Sequence, residues 1–358
     1  YTYDPNHGGV LTVTLPAATP GGVRPQTRYT YQQYQAYAKN SGGSIVASGA
    51  PVYRLTGVST CQTTASCAAT ADEVRAVVGY GPQVAGTANN LLPVSATQSS
   101  GDGALSTATA FTYDNIGNRL TVDGPLAGAD DTSRTRYDAR RRVVGVVGPD
   151  PDGAGARKPL AQRATYNLDN QPINVEVGNV DSQSDVHWAA MTVSQNRSTT
   201  YDANARPAKT ELNSGAATQA VTQVSYDAMG RVDCTAERMN PSIYASLPIS
   251  ACTLGTAGSF GADRISKISY NAASEVTKVQ VAVGTPEQAD EVAAGYTADG
   301  KLAYVVDAEN NRTAYGYDGH NRQVKTEYPS TTKGANAVNA ADYEELTYDA
   351  NGNVATRR

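Results

Sequence analysis

Apolar and polar residues alternate one by one along much of the chain, in short stretches. Segments such as "EVTKVQVAV" and "KLAYVV" place β-branched residues in a period of two, with "RVDC" a shorter example. That pattern predicts half-buried strands. A single motif recurs between the strands. "YDNIGNRL" from Tyr113, "YDANAR" from Tyr201, "YDAMGR" from Tyr226, "YDGHNR" from Tyr317 and "YDANGN" from Tyr348 share three features. Each has a tyrosine, then an acid, then Gly or a substitute three positions after the acid.

Alignment on the tyrosine gives nine copies, at Tyr113, Tyr137, Tyr166, Tyr201, Tyr226, Tyr270, Tyr296, Tyr317 and Tyr348, and a tenth, degenerate one at Tyr3. Spacings run from 21 to 44 residues, so the unit is constant and the connections vary. The position after the tyrosine holds Asp114, Asp138, Asn167, Asp202, Asp227, Asn271, Thr297, Asp318 and Asp349. Catalysis or metal binding would not treat Asn and Thr as equivalents of Asp. Turn capping does, because all three accept a hydrogen bond from a nearby backbone N–H. Three positions on sit Gly117, Arg141, Asn170, Ala205, Gly230, Ser274, Gly300, Asn321 and Gly352. Asp or Asn first and Gly fourth signals a type I turn followed by a residue at positive φ, and Asn is the best non-Gly occupant there. Arg141, Ala205 and Ser274 depart from this and predict strained or differently shaped turns. The unit is therefore strand, tight turn, strand, and the chain reads as an all-β array of antiparallel hairpins in one curved or spiralling sheet.

These residues resemble a known family. "YDAMGRV", "YDANGNV" and "YDNIGNRL" are similar to the YD repeats of Rhs proteins, also found in teneurins and in the shell subunits of insecticidal toxin complexes. The resemblance covers residues 111–358 repeat by repeat. It extends less regularly over 1–110, where "RYTYQQYQAY" and "PVYRLTGVSTC" read as diverged units continuous with the rest. It implies a β-shell: hairpins joined side by side into a sheet that spirals around a polymorphic, often toxic C-terminal domain. Both ends of the chain lie inside a copy of the unit, so the expectation is a segment of a longer polypeptide.

Composition agrees with thin layers of sheet. The chain has 358 residues with 22 Tyr against 2 Phe and 1 Trp. Tyrosine suits a half-buried strand whose hydroxyl reaches water or a carbonyl. Charged residues are 18%, below the roughly 25% of ordinary soluble chains. A net charge of −5 and no basic run beyond "ARRR" argue against a nucleic-acid partner. No apolar run approaches the ~18 residues of a membrane helix, and no secretory leader pattern opens the sequence.

Candidate chemistry is sparse. The three histidines, His7, His187 and His320, are scattered, and no metalloprotease, nucleophile-elbow or phosphate-loop motif occurs. Asp150, Pro151, Asp152 and Gly153 resemble the aspartyl autoproteolytic spelling that ends the core of Rhs-like shells. Ala154 stands where that motif has an apolar residue, and repeats continue for about 200 residues, so this stretch reads as a Pro/Gly/Asp loop. Asp349, Asn351 and Asn353 match the first half of a calcium loop, yet the repeat turn accounts for all three. Cys61 and Cys67 form one local pair, Cys234 and Cys252 another. Neither has zinc spacing. They read as two disulfides, each pinning a hairpin loop, with free buried thiols as the alternative. Trp188 reads as packing beneath a loop against Met191, with sugar stacking as the alternative.

The expectation from sequence is a structural scaffold or encapsulation wall with no enzyme activity, no cofactor and no metal. Its partners would be the remainder of its own chain and an enclosed effector, with surface glycans or self-assembly as alternatives, in an extracellular or cell-surface setting suited to disulfides. The rival is a cell-surface module binding carbohydrate or a protein partner, with the repeated tyrosines as its contact face.

Overall fold

In the computed structural model the chain is all-β: among the described residues there are 24 antiparallel strands, one short α-helix (Asp185–Ala189) and one 3₁₀ turn (Pro241–Ile243). The structure describes residues 1–358 except 62, 129 and 154. Ala154 of the Asp150 loop therefore lies outside the described residues. No helix among the described residues is long and apolar enough to cross a membrane.

Two compact units are present. One comprises Tyr1–Thr165 and Glu176–Ser194, the other Tyr166–Val175 and Gln195–Arg358. In the first, ladders join chain neighbours in order, from Thr2–Tyr3 with Val10–Thr14 to Val143–Val147 with residues 161–163. Its longest strands, Gln26–Lys39 and Ile45–Cys61, form an extended hairpin. In the second unit the same sequential pairing runs from Thr192–Tyr201 with Pro207–Ser214 to Val338–Tyr348 with Val354–Arg357.

Most strand positions are half-buried, as the tyrosine-rich, phenylalanine-poor composition requires. Full burial concentrates where a long connection covers the sheet. In the first unit Val147, Ala161, Val180 and Met191 form a core joined by Trp188 and Val193. In the second, Cys234, Ala236, Ala251 and Ile265 do so with Cys252, Leu254 and Val283. Cys61, Cys67, Tyr80 and Leu91 are buried elsewhere in the first unit.

All nine aligned copies turn in the same way. The first-position N–H donates to the carbonyl four residues on at 2.8–3.0 Å, and the fourth-position N–H returns to the first-position carbonyl at 2.9–3.3 Å. The fourth residue is left-handed throughout, from 61° at Asn321 to 86° at Gly117. This is a type I turn closed by a bulge, and the ladder shifts register at the tyrosine. Arg141 (φ 64°), Ala205 (φ 63°) and Ser274 (φ 66°) hold the same shape as the glycines. The expectation of differently shaped turns at these three is therefore corrected. The ladder on both sides fixes the loop length, so the backbone of these residues adopts the strained region.

Candidate functional site

The site is the joint between one hairpin and the next, built from the first, fifth and sixth residues of a turn and the tyrosine of the following copy. The first residue works as an acceptor. Asp227 Oδ1 accepts the N–H of Met229 and of Arg231, both at 2.9 Å. Asp114, Asp138, Asp202, Asp318 and Asp349 do the same with their own second-following and fourth-following N–H groups. Asn167 and Asn271 repeat the geometry through Oδ1. Thr297 keeps half of it: Oγ1 accepts the Lys301 N–H at 3.0 Å and donates to Asp299.

The second oxygen finds the fifth residue, whose part the sequence reading missed. Asp202, Asp227 and Asp318 take the Nε of Arg206, Arg231 and Arg322 at 2.7–2.8 Å. Asp138 takes Arg142, and Asp114 and Asp349 take the amides of Asn118 and Asn353. Where the first residue is Asn, its amide donates instead, Asn167 to Gln171 and Asn271 to Glu275. Donors thus follow Asp and acceptors follow Asn, a correlation visible in the sequence once the fifth position is read beside the first.

These contacts hold the carboxyls below the ordinary range. Asp318 is lowered to about 2, first by the Arg322 backbone N–H and then by its guanidinium. Asp227 is lowered in the same way by Arg231, and Asp349 by the N–H and amide of Asn353. At Asp202 the Arg206 guanidinium leads.

The tyrosine connects this turn to the next hairpin. Tyr226 Oη donates to the Pro207 carbonyl at 2.9 Å, Tyr270 to Val232 at 3.0 Å and Tyr296 to Val276 at 2.9 Å. Tyr137, Tyr201, Tyr317 and Tyr348 reach Arg119, Pro172, Leu302 and Gln323. Each acceptor is the fifth residue after the first position of the preceding copy. Tyr113 reaches Pro93, placed likewise after a turn in which Leu91 is left-handed (φ 60°). The fifth-position arginines cover the same rings: Arg206 lies 4.1 Å from the Tyr226 centroid, Arg231 4.3 Å from Tyr270 and Arg322 4.4 Å from Tyr348. One arginine therefore joins its own turn acid to the next tyrosine.

The joint survives long inserts. Tyr226 and Tyr270 are 44 apart in sequence, yet Tyr270 meets Val232 as the others meet their acceptors. The intervening residues fold onto the sheet. Cys234 is bonded to Cys252. Arg238 and Asp263, both fully buried, pair at 2.7 Å, and Arg238 also donates to Gln223 and to the carbonyls of Ser250 and Thr253. Burial pushes the Asp263 carboxyl up, but the Met239 N–H, Arg238 and the Gly255 N–H outweigh it and hold it down. The other insert packs Trp188 against Gly145, where a Cβ would fall 2.6 Å from the indole, with the Arg136 guanidinium 4.9 Å from the ring. Asp185 pairs with Arg134 and Arg136 and anchors the helix beside it.

The other residues singled out from sequence lie apart. Cys61 is bonded to Cys67. The two groups of ligand-type side chains among the described residues, Cys61–Cys67–Asp72 and Asp233–Cys234–Cys252, have their sulfurs bonded to each other, so neither offers a thiolate. Asp150 accepts the Asp152 N–H, and Asp152 accepts that of Arg157, both within one loop. His7 sits between Tyr31 and Tyr53, His187 meets Ser182, and His320 lies on an exposed turn. A further turn of the same geometry, Asp307–Asn310, escaped alignment because no tyrosine precedes it.

No family model matches the chain, and no curated protein matches it. Among solved structures it is similar to TcdB2-TccC3 without its hypervariable C-terminal region, with 10% identity, 93% of this chain and 21% of that one covered, and a TM-score of 0.35. For TcdB2-TccC3 itself the figures are 12%, 93%, 22% and 0.35. For the Photorhabdus luminescens Tc holotoxin pore they are 11%, 94%, 20% and 0.30. The chain spans about a fifth of the length of these chains.

Proposed function

We infer that the chain is a structural wall, a run of hairpins whose conspicuous side chains serve to hold each hairpin in register on the last. The observation that carries this reading is the repeated tyrosine joint. Among the described residues, eight of the repeat tyrosines have their hydroxyls bonded to backbone carbonyls, seven of them at the equivalent place in the preceding copy. Groups held in this way are fixed in position. An isolated hairpin is marginal in water, and joining neighbours stabilises the array.

In this reading the wall belongs to a longer polypeptide of YD-repeat type and encloses or presents another part of it. The two disulfides suit a setting outside the reducing cytosol, at a cell surface or beyond. Limited proteolysis of the full natural polypeptide tests the enclosing role. The part beyond the repeats should resist protease until the wall is unfolded or its disulfides are reduced. Digestion of that part while the wall stays intact would refute enclosure.

A further inference from the structure

One place in the first unit departs from the regular joint. The tip of the long hairpin bends onto the segment after Tyr80. Tyr37 and Asn89 exchange backbone hydrogen bonds at 2.9 and 3.0 Å, and the Gly86 N–H donates to the Ile45 carbonyl. The Asp114 turn closes the third side, with Gly117 facing Leu92 and Asn90. These three elements bound a cleft of about 670 Å³, within the ~300–1,000 Å³ usual for small-ligand sites.

Its walls join fixed aromatic rings to unengaged neutral polar groups. Tyr80 and Tyr113 line it with their hydroxyls tied to the Leu55 and Pro93 carbonyls at 2.9 and 2.7 Å. Their rings are therefore held in place, and Phe111 lies beside them. The Asn90 Oδ1 accepts the Leu92 N–H. Among the described residues its Nδ2 has no partner, and neither the Tyr37 hydroxyl nor the Asn115 amide makes a hydrogen bond. The carboxylate at the rim, Asp114, has both oxygens occupied within its own turn.

We propose that this cleft binds a neutral pyranose oligosaccharide of two or three rings. Such a ligand has apolar C–H faces for aromatic rings and hydroxyls that both donate and accept. A flat hydrocarbon would leave the Tyr37 hydroxyl and both amides desolvated and unpaired. An anionic ligand would find only Lys39 in the lining, exposed on a flexible stem, and no buried cation among the described residues there. The cleft shares Tyr113 and the Asp114 turn with a regular joint, but its other walls, with Tyr37, Tyr80 and Asn90, lie outside the joints, and the proposal does not depend on the wall reading.

Saturation-transfer NMR on the whole chain tests this with cellobiose, lactose and N,N′-diacetylchitobiose as probes, and benzoate and indole as controls. At least one disaccharide should receive saturation on its ring C–H protons. The Asn90→Ala/Asn115→Ala double variant should weaken its binding by about three- to tenfold, one lost hydrogen bond or slightly more. Tyr37→Phe, which keeps the ring, should weaken it less. Native circular dichroism in each variant would separate loss of binding from loss of fold. No transfer to any of the three sugars would overturn the proposal. So would equal binding by the variants, or binding of the aromatic controls in preference to the sugars.

Discussion

The hydroxyl of Tyr226 donates to the carbonyl of Pro207 at 2.9 Å, across the boundary between one hairpin and the next. Arg206, from the same earlier turn, lies over the ring of that tyrosine. Tyr226→Phe removes the hydroxyl and keeps the ring and its arginine. It should cost about 1 kcal/mol in urea unfolding. Tyr226→Ala should cost more, because the ring's packing is lost too. Equal stability of the Tyr226→Phe variant and the unaltered chain would show that the hydroxyl bond contributes nothing.

The left-handed fourth positions give a test with opposite signs. Ala205 holds φ 63° with no turn glycine to relieve it, and Gly230 holds φ 83°. Ala205→Gly should stabilise by roughly 0.5 kcal/mol, the relief of left-handed strain reduced by the extra entropy of glycine in the unfolded chain. Gly230→Val should destabilise, and by more than Gly230→Asn. Thermal melts that rank Val with Asn, or that find Ala205→Gly destabilising, would contradict the turn geometry.

The match between first and fifth positions can be exchanged. Asn271 donates to Glu275 at 2.6 Å. Glu275→Arg alone sets two donors against each other and should cost about 0.5 kcal/mol or more. Adding Asn271→Asp converts the turn to the Asp–Arg type of its neighbours and should recover that loss. A double-mutant cycle measures the recovery directly. Strict additivity of the two changes would refute the pairing.

The turn acids also set a pH dependence. The Asp318 carboxyl falls from an ordinary value of 3.8 to about 2 in the folded chain. A lowered folded-state pKa gives stability that is present above pH ~4 and is lost as the pH falls through ~2. The chain should therefore weaken in that window, and Asp318→Asn should be less stable than the unaltered chain at pH 5. The gap between them should close toward pH 2. A gap that stays constant from pH 5 to pH 2 would show that the charge of Asp318 plays no part.

The repeat made the fold legible. Alternation marked the strands, and the tyrosine–acid–glycine spacing marked the turns, because local backbone geometry dictates those residues within five positions. The Asn and Thr substitutes correctly marked the first residue as an acceptor. What escaped was non-local. The acceptor of Tyr270 is Val232, 38 residues earlier, across an insert whose length says nothing about its path. The turn at Asp307 lacks the tyrosine on which the copies were aligned, and the turn holding Leu91 lacks the acid as well. The buried Arg238–Asp263 pair lies between two ordinary-looking polar residues 25 apart, with no local pattern to signal it. The cleft beside Tyr80 depends on where the long hairpin bends, which alternation does not encode.

Removing the tyrosine hydroxyls from consecutive joints tests most directly whether the hairpins hold one another. In a Tyr270→Phe/Tyr296→Phe/Tyr317→Phe variant, hydrogen exchange can be followed hairpin by hairpin. The expected result is a loss of protection of about 1 kcal/mol per hydroxyl. It should be confined to the strands from Val232 to Pro329, with residues 1–165 unchanged. Unchanged protection in those strands, or an equal loss spread along the whole chain, would contradict the wall of mutually clamped hairpins.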